Sequence, residues 1–379
     1  MTYKEEEIDN IRPGVLNKEQ TEILFKNDVI AKLDPKNVDS SSFDLRLSSL
    51  GYKMRGSIKP DRDTSVSQII NDYKEQFLED LEEKTILETG VTYLIQLEEV
   101  LRLPKGKKFF GRTTGKSSIG RLDVLTRLIV DKCHTYDMVD EEYSGSLYIE
   151  VNPITFPIIV KKGIALSQLR LFRGRPEWSE INNDEIQLFE GIILDENCEP
   201  KKNGDEISEL RVNLLPDPKT GLSAFCALKK NNNKDLQIDL SKPKGTYDPK
   251  NFWQPIPYKK DEALEIKPEA FYILRSKERF RLPKDVAVSC QAISETLGEL
   301  RIHYAGFVHP YFGFNRTEGT PIIFEVRGHN VNIYLRDGET LANINFYRMS
   351  EPAEEPTEDS DYENQELKLS KYFKDWGQT

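Results

Sequence analysis

Cysteine, histidine, methionine and tryptophan are scarce in this chain: four, four, four and three residues among 379. The cysteines, Cys133, Cys198, Cys226 and Cys290, are scattered and form no C-x-x-C pair. That leaves neither a disulfide framework nor a zinc knuckle, and reads as a protein of a reducing compartment. No apolar run of about 18 residues occurs, and residues 1–7 hold no apolar signal core, so the expectation is a soluble, cytoplasmic protein with no membrane partner. Basic runs are missing too. With 53 Lys and Arg against 64 Asp and Glu, the net charge is −11, which argues against a nucleic-acid partner held by phosphate neutralisation. A locally basic pocket for a small anion stays compatible with that balance.

What the chain does contain is a repeat. Tyr93 and Arg102-Leu103-Pro104-Lys105 recur as Tyr272 and Arg281-Leu282-Pro283-Lys284. Glu150-Val151, Gly163, Leu166 and Arg173 recur in the same order as Glu325-Val326, Gly338, Leu341 and Arg348. An ordered set of matches of this kind indicates duplication. Leu147, Ile149 and Val151 alternate with Ser146, Tyr148, Glu150 and Asn152, and Ile322, Phe324 and Val326 with Ile323, Glu325 and Arg327, the period of a half-buried strand. Short strands punctuated by Pro and Gly predict a mainly β protein of two tandem distorted β-barrel or jelly-roll domains with a few short helices.

The expected boundaries are 1–175 for the first domain, 176–250 for a connecting segment, 251–350 for the second domain and 351–379 for an acidic linker and tail. Helices are expected at 17–30 and 65–83, the latter with Ile69, Tyr73, Phe77 and Leu81 as one apolar stripe against the barrel. The Lys-Asn run 229–234 reads as a loop tip. The Glu/Asp/Pro-rich stretch 350–361 reads as disordered, and residues 362–376 as a segment that docks.

One turn carries chemistry: Lys116-Ser117-Ser118-Ile119-Gly120-Arg121 sets two cations and two hydroxyls where a polyphosphate could be held. Downstream, Tyr143-Ser144-Gly145-Ser146-Leu147-Tyr148-Ile149-Glu150 delivers a lone carboxylate on a strand. Taken alone, the serines could cap a helix and Glu150 could be a solvated side chain. His134 reads as a loop or core histidine, and Glu325 as half of a structural ion pair with Arg327.

Together these residues resemble the dCTP deaminase branch of the dUTPase-like superfamily, in its long, tandem-repeat bacterial form. The family reads Arg/Lys-Ser-Ser-x-x-Arg-Leu, an Asp before aromatic-x-Gly, Leu-Glu on a strand, then Gly-x-x-Ile/Leu-x-Gln-Leu. Here these are residues 116–122, Asp140 with Tyr143-Ser144-Gly145, Ile149-Glu150, and residues 163–169 ending Gln168-Leu169. Ser42-Phe43-Asp44-Leu45-Arg46-Leu47 and Tyr362-Glu363-Asn364-Gln365 are similar to the family's first strand and closing tail. Asp361 stands where many relatives carry Lys, and His309-Pro310-Tyr311 where they carry Asp-Pro-Gly.

The resemblance implies that Lys116, Ser117, Ser118 and Arg121 hold the triphosphate of dCTP or dUTP. Asp140 would accept from the 3′-hydroxyl, Glu150 would be the catalytic acid/base, and Gln168, Tyr362 and Gln365 would contact substrate. Mg²⁺ would come with the phosphates. Zinc is not expected, because the His-x-Glu and Pro-Cys-x-x-Cys ligand motifs of zinc deaminases are missing. A homo-oligomer is expected, with dTTP as a regulator left open. The second copy carries Glu299 opposite Arg121 and is expected to be a nucleotide-incompetent structural partner, making 116–150 the complete active-site segment. Two rivals stand beside deamination to dUTP: a bifunctional enzyme giving dUMP, and a non-catalytic nucleotide-sensing module.

Overall fold

Two large antiparallel sheets form, one from each copy, beside a three-stranded and a two-stranded sheet. In the first, the strands run in the spatial order Val124–Ile129, Ser144–Pro153, Thr92–Arg102, Phe43–Met54, Ala165–Arg173, Phe109–Gly115 and Met138–Val139. In the second, the order is Trp253–Pro257, Leu222–Ala227, Phe271–Phe280, Glu209–Asn213, Thr340–Arg348, Val286–Ala292 and Phe307–Val308, with Thr320–Gly328 also paired to Phe271–Phe280. The computed structural model describes residues 5–78, 81–189, 191–201, 207–228, 236–292, 300–302, 306–356 and 361–377.

The duplication extends to buried polar contacts. Tyr93 OH accepts the Glu88 N–H at 3.0 Å, and Tyr272 OH accepts the Lys267 N–H at 3.1 Å. Buried Glu99 accepts the main-chain N–H and Nε of Arg46 at 2.8 and 2.7 Å. Buried Glu278 takes the same two groups of Arg211, both at 2.7 Å. This makes Glu209–Asn213 the counterpart of the strand Phe43–Met54. Part of the segment expected to connect the domains is therefore sheet.

Alternation drives one face of each strand into a core. Leu45, Leu97, Ile149 and Leu169 fill the first, and Leu274, Val288, Phe324 and Ile344 the second. Each such side chain contributes roughly 1.5–3 kcal/mol by leaving water. The copies are pinned together by Arg170, which is fully buried. Its guanidinium donates to Ser41 Oγ at 3.0 Å and to the second copy's Val288 and Val308 carbonyls at 2.9 and 3.3 Å. It also lies 4.1 Å over the Phe307 ring. Burial pulls its pKa down to about 9, and these acceptors offset that cost.

Helices are short. Lys18–Lys26 begins in a capping box between Asn17 and Gln20, and the chain then enters the strand Ile30–Ala31. The helix expected over 65–83 covers only Val66–Tyr73, capped by Ser65, and continues as the strand Lys74–Phe77. The four-residue stripe was misleading because the helix ends at Tyr73: Ile69 and Leu81 are buried, but Tyr73 and Phe77 between them are 44% and 48% exposed. Phe77 instead packs edge-on against Tyr52 of the neighbouring strand.

The beginning of the acidic stretch is docked rather than disordered. The Ser350 N–H donates to Val15 O at 2.7 Å, and Ala353, which is buried, donates to Lys284 O at 2.8 Å. Residues 357–360, the loop tip at 229–234 and the degenerate turn at 294–299 lie outside the described residues. No helix among the described residues is long and apolar enough to cross a membrane.

Candidate active site

The phosphate turn is one turn of helix, Ser117–Gly120, launched from the strand Phe109–Gly115. Ile119 and Leu122 anchor it in the first core, and the Lys116 N–H donates to Leu166 O at 3.0 Å. Gln168 lies on the adjacent strand, opposite Thr114, and its Oε1 accepts from Ser42 Oγ at 2.9 Å. Lys116 is ion-paired with Asp44.

This turn forms one wall of a cleft of about 710 Å³ between the two copies. The opposite wall comes from the second copy: Gly306, Phe307, His309, Ile323 and Glu325. Gly306 is so near the turn that an added Cβ would lie 3.7 Å from Ser117 Oγ. Glu325 reaches over Gly120, where a Cβ would sit 2.8 Å from the carboxylate carbon. It is 6% exposed, and burial pushes its pKa up to about 8, against the pull of Arg121.

The tail closes the third side. Arg121 donates to Gln365 Oε1 at 2.7 Å and to Lys368 O at 3.0 Å, and stacks 3.9 Å from the centroid of the Tyr362 ring. Tyr362 OH accepts the Lys371 N–H at 3.0 Å, and Ser370 Oγ donates to Ser118 O at 2.7 Å. Beyond it, Phe373 packs against Phe252 and Trp253 in the first core. Tyr362 and Gln365 thus reach the cleft of their own chain.

Of the residues singled out in the sequence, Lys116, Ser117, Ser118, Arg121, Gln168, Tyr362 and Gln365 line this cleft, whereas Glu150 and Asp140 do not. Asp140 is exposed beyond the strand Met138–Val139, its Oδ2 4.0 Å from Cys133 Sγ. Glu150 is buried on its own sheet, accepting from Ser57 Oγ at 2.8 Å and Asn152 Nδ2 at 3.1 Å. Burial raises its pKa as well. The difference lies in what covers each glutamate. The other copy's phosphate turn covers Glu325, while Ser57 and the nearby helix Val66–Tyr73 cover the face around Glu150, with Ile69 and Ile70 packed on Leu94 and Ile129.

The expected Glu325–Arg327 pair does not form. Arg327 Nε donates to Asp123 Oδ2 at 3.1 Å, and its guanidinium also donates to Thr155 Oγ1 at 2.8 Å. The second copy walls the same cleft as the turn.

Residues 12–175 match the 2′-deoxycytidine 5′-triphosphate deaminase N-terminal domain, and residues 182–373 match the C-terminal domain of the same family. The chain belongs to the dCTP deaminase family. A crystal structure of 2′-deoxycytidine 5′-triphosphate deaminase from Agrobacterium tumefaciens is similar at 32% identity and a TM-score of 0.81, over 90% of this chain and 97% of that one. A protein of Acidothermus cellulolyticus named "dCTP deaminase, dUMP-forming" is 32% identical over 145 residues, 38% of this chain and 71% of its own length. One from Parafrankia sp. with the same name is 33% identical over 146 residues, 38% of this chain and 68% of its own.

Within this family fold, sequence reasoning missed Glu325 and His309 as cleft residues. His309 Nδ1 lies 2.9 Å from Ser41 Oγ, and Nε2 is 3.8 Å from Asp39 Oδ2. The signal that could have found Glu325 was its repeat register with Glu150, joined to the loss of the second copy's own turn.

Proposed function

We propose that this chain hydrolyses dCTP to dUTP and ammonia in the cleft between its copies, with Glu325, rather than Glu150, as the acid–base group. The observation that carries this reading is the buried Glu325 carboxyl facing Gly120 and Arg121 of the phosphate turn. With its pKa near 8, Glu325 is protonated at neutral pH and enters the reaction as an acid.

Protonation of cytosine N3 by Glu325 makes C4 electrophilic. The carboxylate so formed removes a proton from water as its oxygen bonds to C4. Glu325 then passes that proton to the amino group, the C4–N bond breaks, and ammonia leaves. The proton lost by the C4 hydroxyl as the carbonyl forms restores the acid. Lys116, Ser117 and Ser118 would hold the phosphates, and Arg121 would steady the carboxylate at mid-reaction.

Zinc has no part in this scheme, since the sequence has no His-x-Glu and Pro-Cys-x-x-Cys pairing. Mg²⁺ would arrive on the triphosphate and neutralise its charge. Asp44 and Asp361 in the cleft are both engaged by lysines, so the phosphates would supply most of its ligands.

The test is ammonia release from dCTP alongside calorimetric binding. Glu325→Gln should abolish release and keep binding, while Glu150→Gln should turn over. The reverse pattern would return the role to Glu150. A second reading, release of dUMP and pyrophosphate, is favoured by the names of the Acidothermus and Parafrankia relatives. Chromatography of the product separates the two.

A further inference from the structure

The cleft lining carries cations outside the phosphate turn, set among a similar number of carboxylates. Beside Lys116 lie Lys244 and Lys371, brought together by backbone pairing of two distant segments. The Gly245 N–H donates to Lys371 O at 2.9 Å, Tyr247 N–H to Tyr372 O at 3.0 Å, and Lys374 N–H to Tyr247 O at 2.9 Å. This pairing puts the two lysines on neighbouring chains. Between them stands Asp361, ion-paired to Lys244 and 3.6 Å from Lys371 Nζ, its main-chain carbonyl taking Lys368 Nζ at 3.1 Å.

The cluster is fixed against the turn. Ser370, next to Lys371, donates to Ser118 O, and Lys371 itself is bonded through its N–H to Tyr362, which stacks on Arg121. Burial and the charge of Lys116 both disfavour the Lys371 ammonium. Mutually repelling cations held by pairing and tethered to a phosphate turn are stabilised when an anion spans them.

We propose that Lys244 and Lys371 form the seat of the terminal phosphate of a nucleoside triphosphate, with Asp361 as a stand-in anion that the phosphate displaces. The identity of the nucleotide rests on the deaminase reading; the seat itself requires only a polyphosphate. Lys116, Ser117 and Ser118 hold the inner phosphates, and the two lysines measure the length of the chain. Asp361 keeps the lysines neutralised in the free protein, so a short anion that cannot reach them gains nothing.

The experiment is calorimetric titration of the full chain with sodium tripolyphosphate and, in parallel, with inorganic monophosphate. Lys371→Gln and Lys244→Gln should each weaken tripolyphosphate binding by roughly tenfold or more, as expected for losing a charged hydrogen bond. Asp361→Asn should strengthen it, and monophosphate affinity should stay near wild type in the two lysine variants. Lys244 is 67% exposed, so its replacement leaves the fold intact even if Lys371→Gln does not. Unchanged tripolyphosphate affinity in both lysine variants overturns the seat, as does equal weakening for monophosphate. No turnover is read, so a chain that binds tripolyphosphate through these lysines yet releases no ammonia from dCTP counts against the deaminase reading alone.

Discussion

The guanidinium of Arg121 lies 3.9 Å from the centroid of the Tyr362 ring, joining the first copy's phosphate turn to the closing tail of the same polypeptide. Arg121 is buried and the half-buried Tyr362 ring covers it, so the cation–π contact is made with little water competing for the cation.

Removing that ring should loosen Arg121 without emptying the cleft. Tyr362→Leu forfeits about 2 kcal/mol of desolvated cation–π contact, together with the acceptor for the Lys371 N–H. Steady-state kinetics should show a KM for dCTP raised more than tenfold. Tyr362→Phe keeps the ring and should fall between wild type and Leu.

Gly120 gives the sharpest steric prediction. Its φ is not in the left-handed region, so alanine is tolerable to the backbone, but the Cβ collides with the Glu325 carboxylate. Gly120→Ala should therefore melt within a few degrees of wild type while losing most ammonia release. A variant with full activity would show that Glu325 swings clear without consequence.

The tail is held by charge. Glu366, 4% exposed, takes Arg279 Nη1 at 3.1 Å and Arg316 Nη2 at 3.0 Å, with Arg275 Nη1 at 3.5 Å. Replacing it leaves these guanidinium groups unbalanced, Arg275 and Arg279 among them buried. Glu366→Gln should cost an amount approaching the roughly 3–5 kcal/mol of breaking a buried pair, read by urea denaturation. Limited proteolysis should then cut near 361–377 first.

Glu325 also sets a pH signature. Its folded pKa of about 8 lies above the ordinary 4.5, because burial favours the neutral acid. The stability it contributes is fully present below about pH 4.5 and is lost as pH rises through 8. Melting curves of wild type should therefore decline between pH 5 and 9 more steeply than those of Glu325→Gln. The rate constant kcat/KM should fall above about pH 8, as the acid that protonates N3 is titrated away.

Much of this was legible from residue order. Alternation of Leu147, Ile149 and Val151 gave the strand, and the repeat gave the equivalence of Glu150 and Glu325. The Lys-Ser-Ser-x-x-Arg turn and the Tyr362-x-x-Gln365 tail, which resemble the family's substrate-binding segments, come together in one cleft. Which glutamate meets the turn was not legible, because contacts across a packing surface leave no spacing in a sequence. Likewise, the stripe of Ile69, Tyr73, Phe77 and Leu81 fits a helix, yet pairing of Lys74–Phe77 with the strand Phe43–Met54 ends it after Tyr73. Tertiary hydrogen bonding outweighed local periodicity there.

The division of the cleft between two copies on one chain has a further consequence. In a ring of identical subunits, any substitution appears at every interface at once, so the turn and the facing carboxylate must change together. Here each appears once per polypeptide, and the residues around Glu150 line no part of this cleft. Fusion also makes the encounter of the two walls intramolecular, with an effective concentration that dilution does not lower. Specific activity should then stay constant as the protein is diluted.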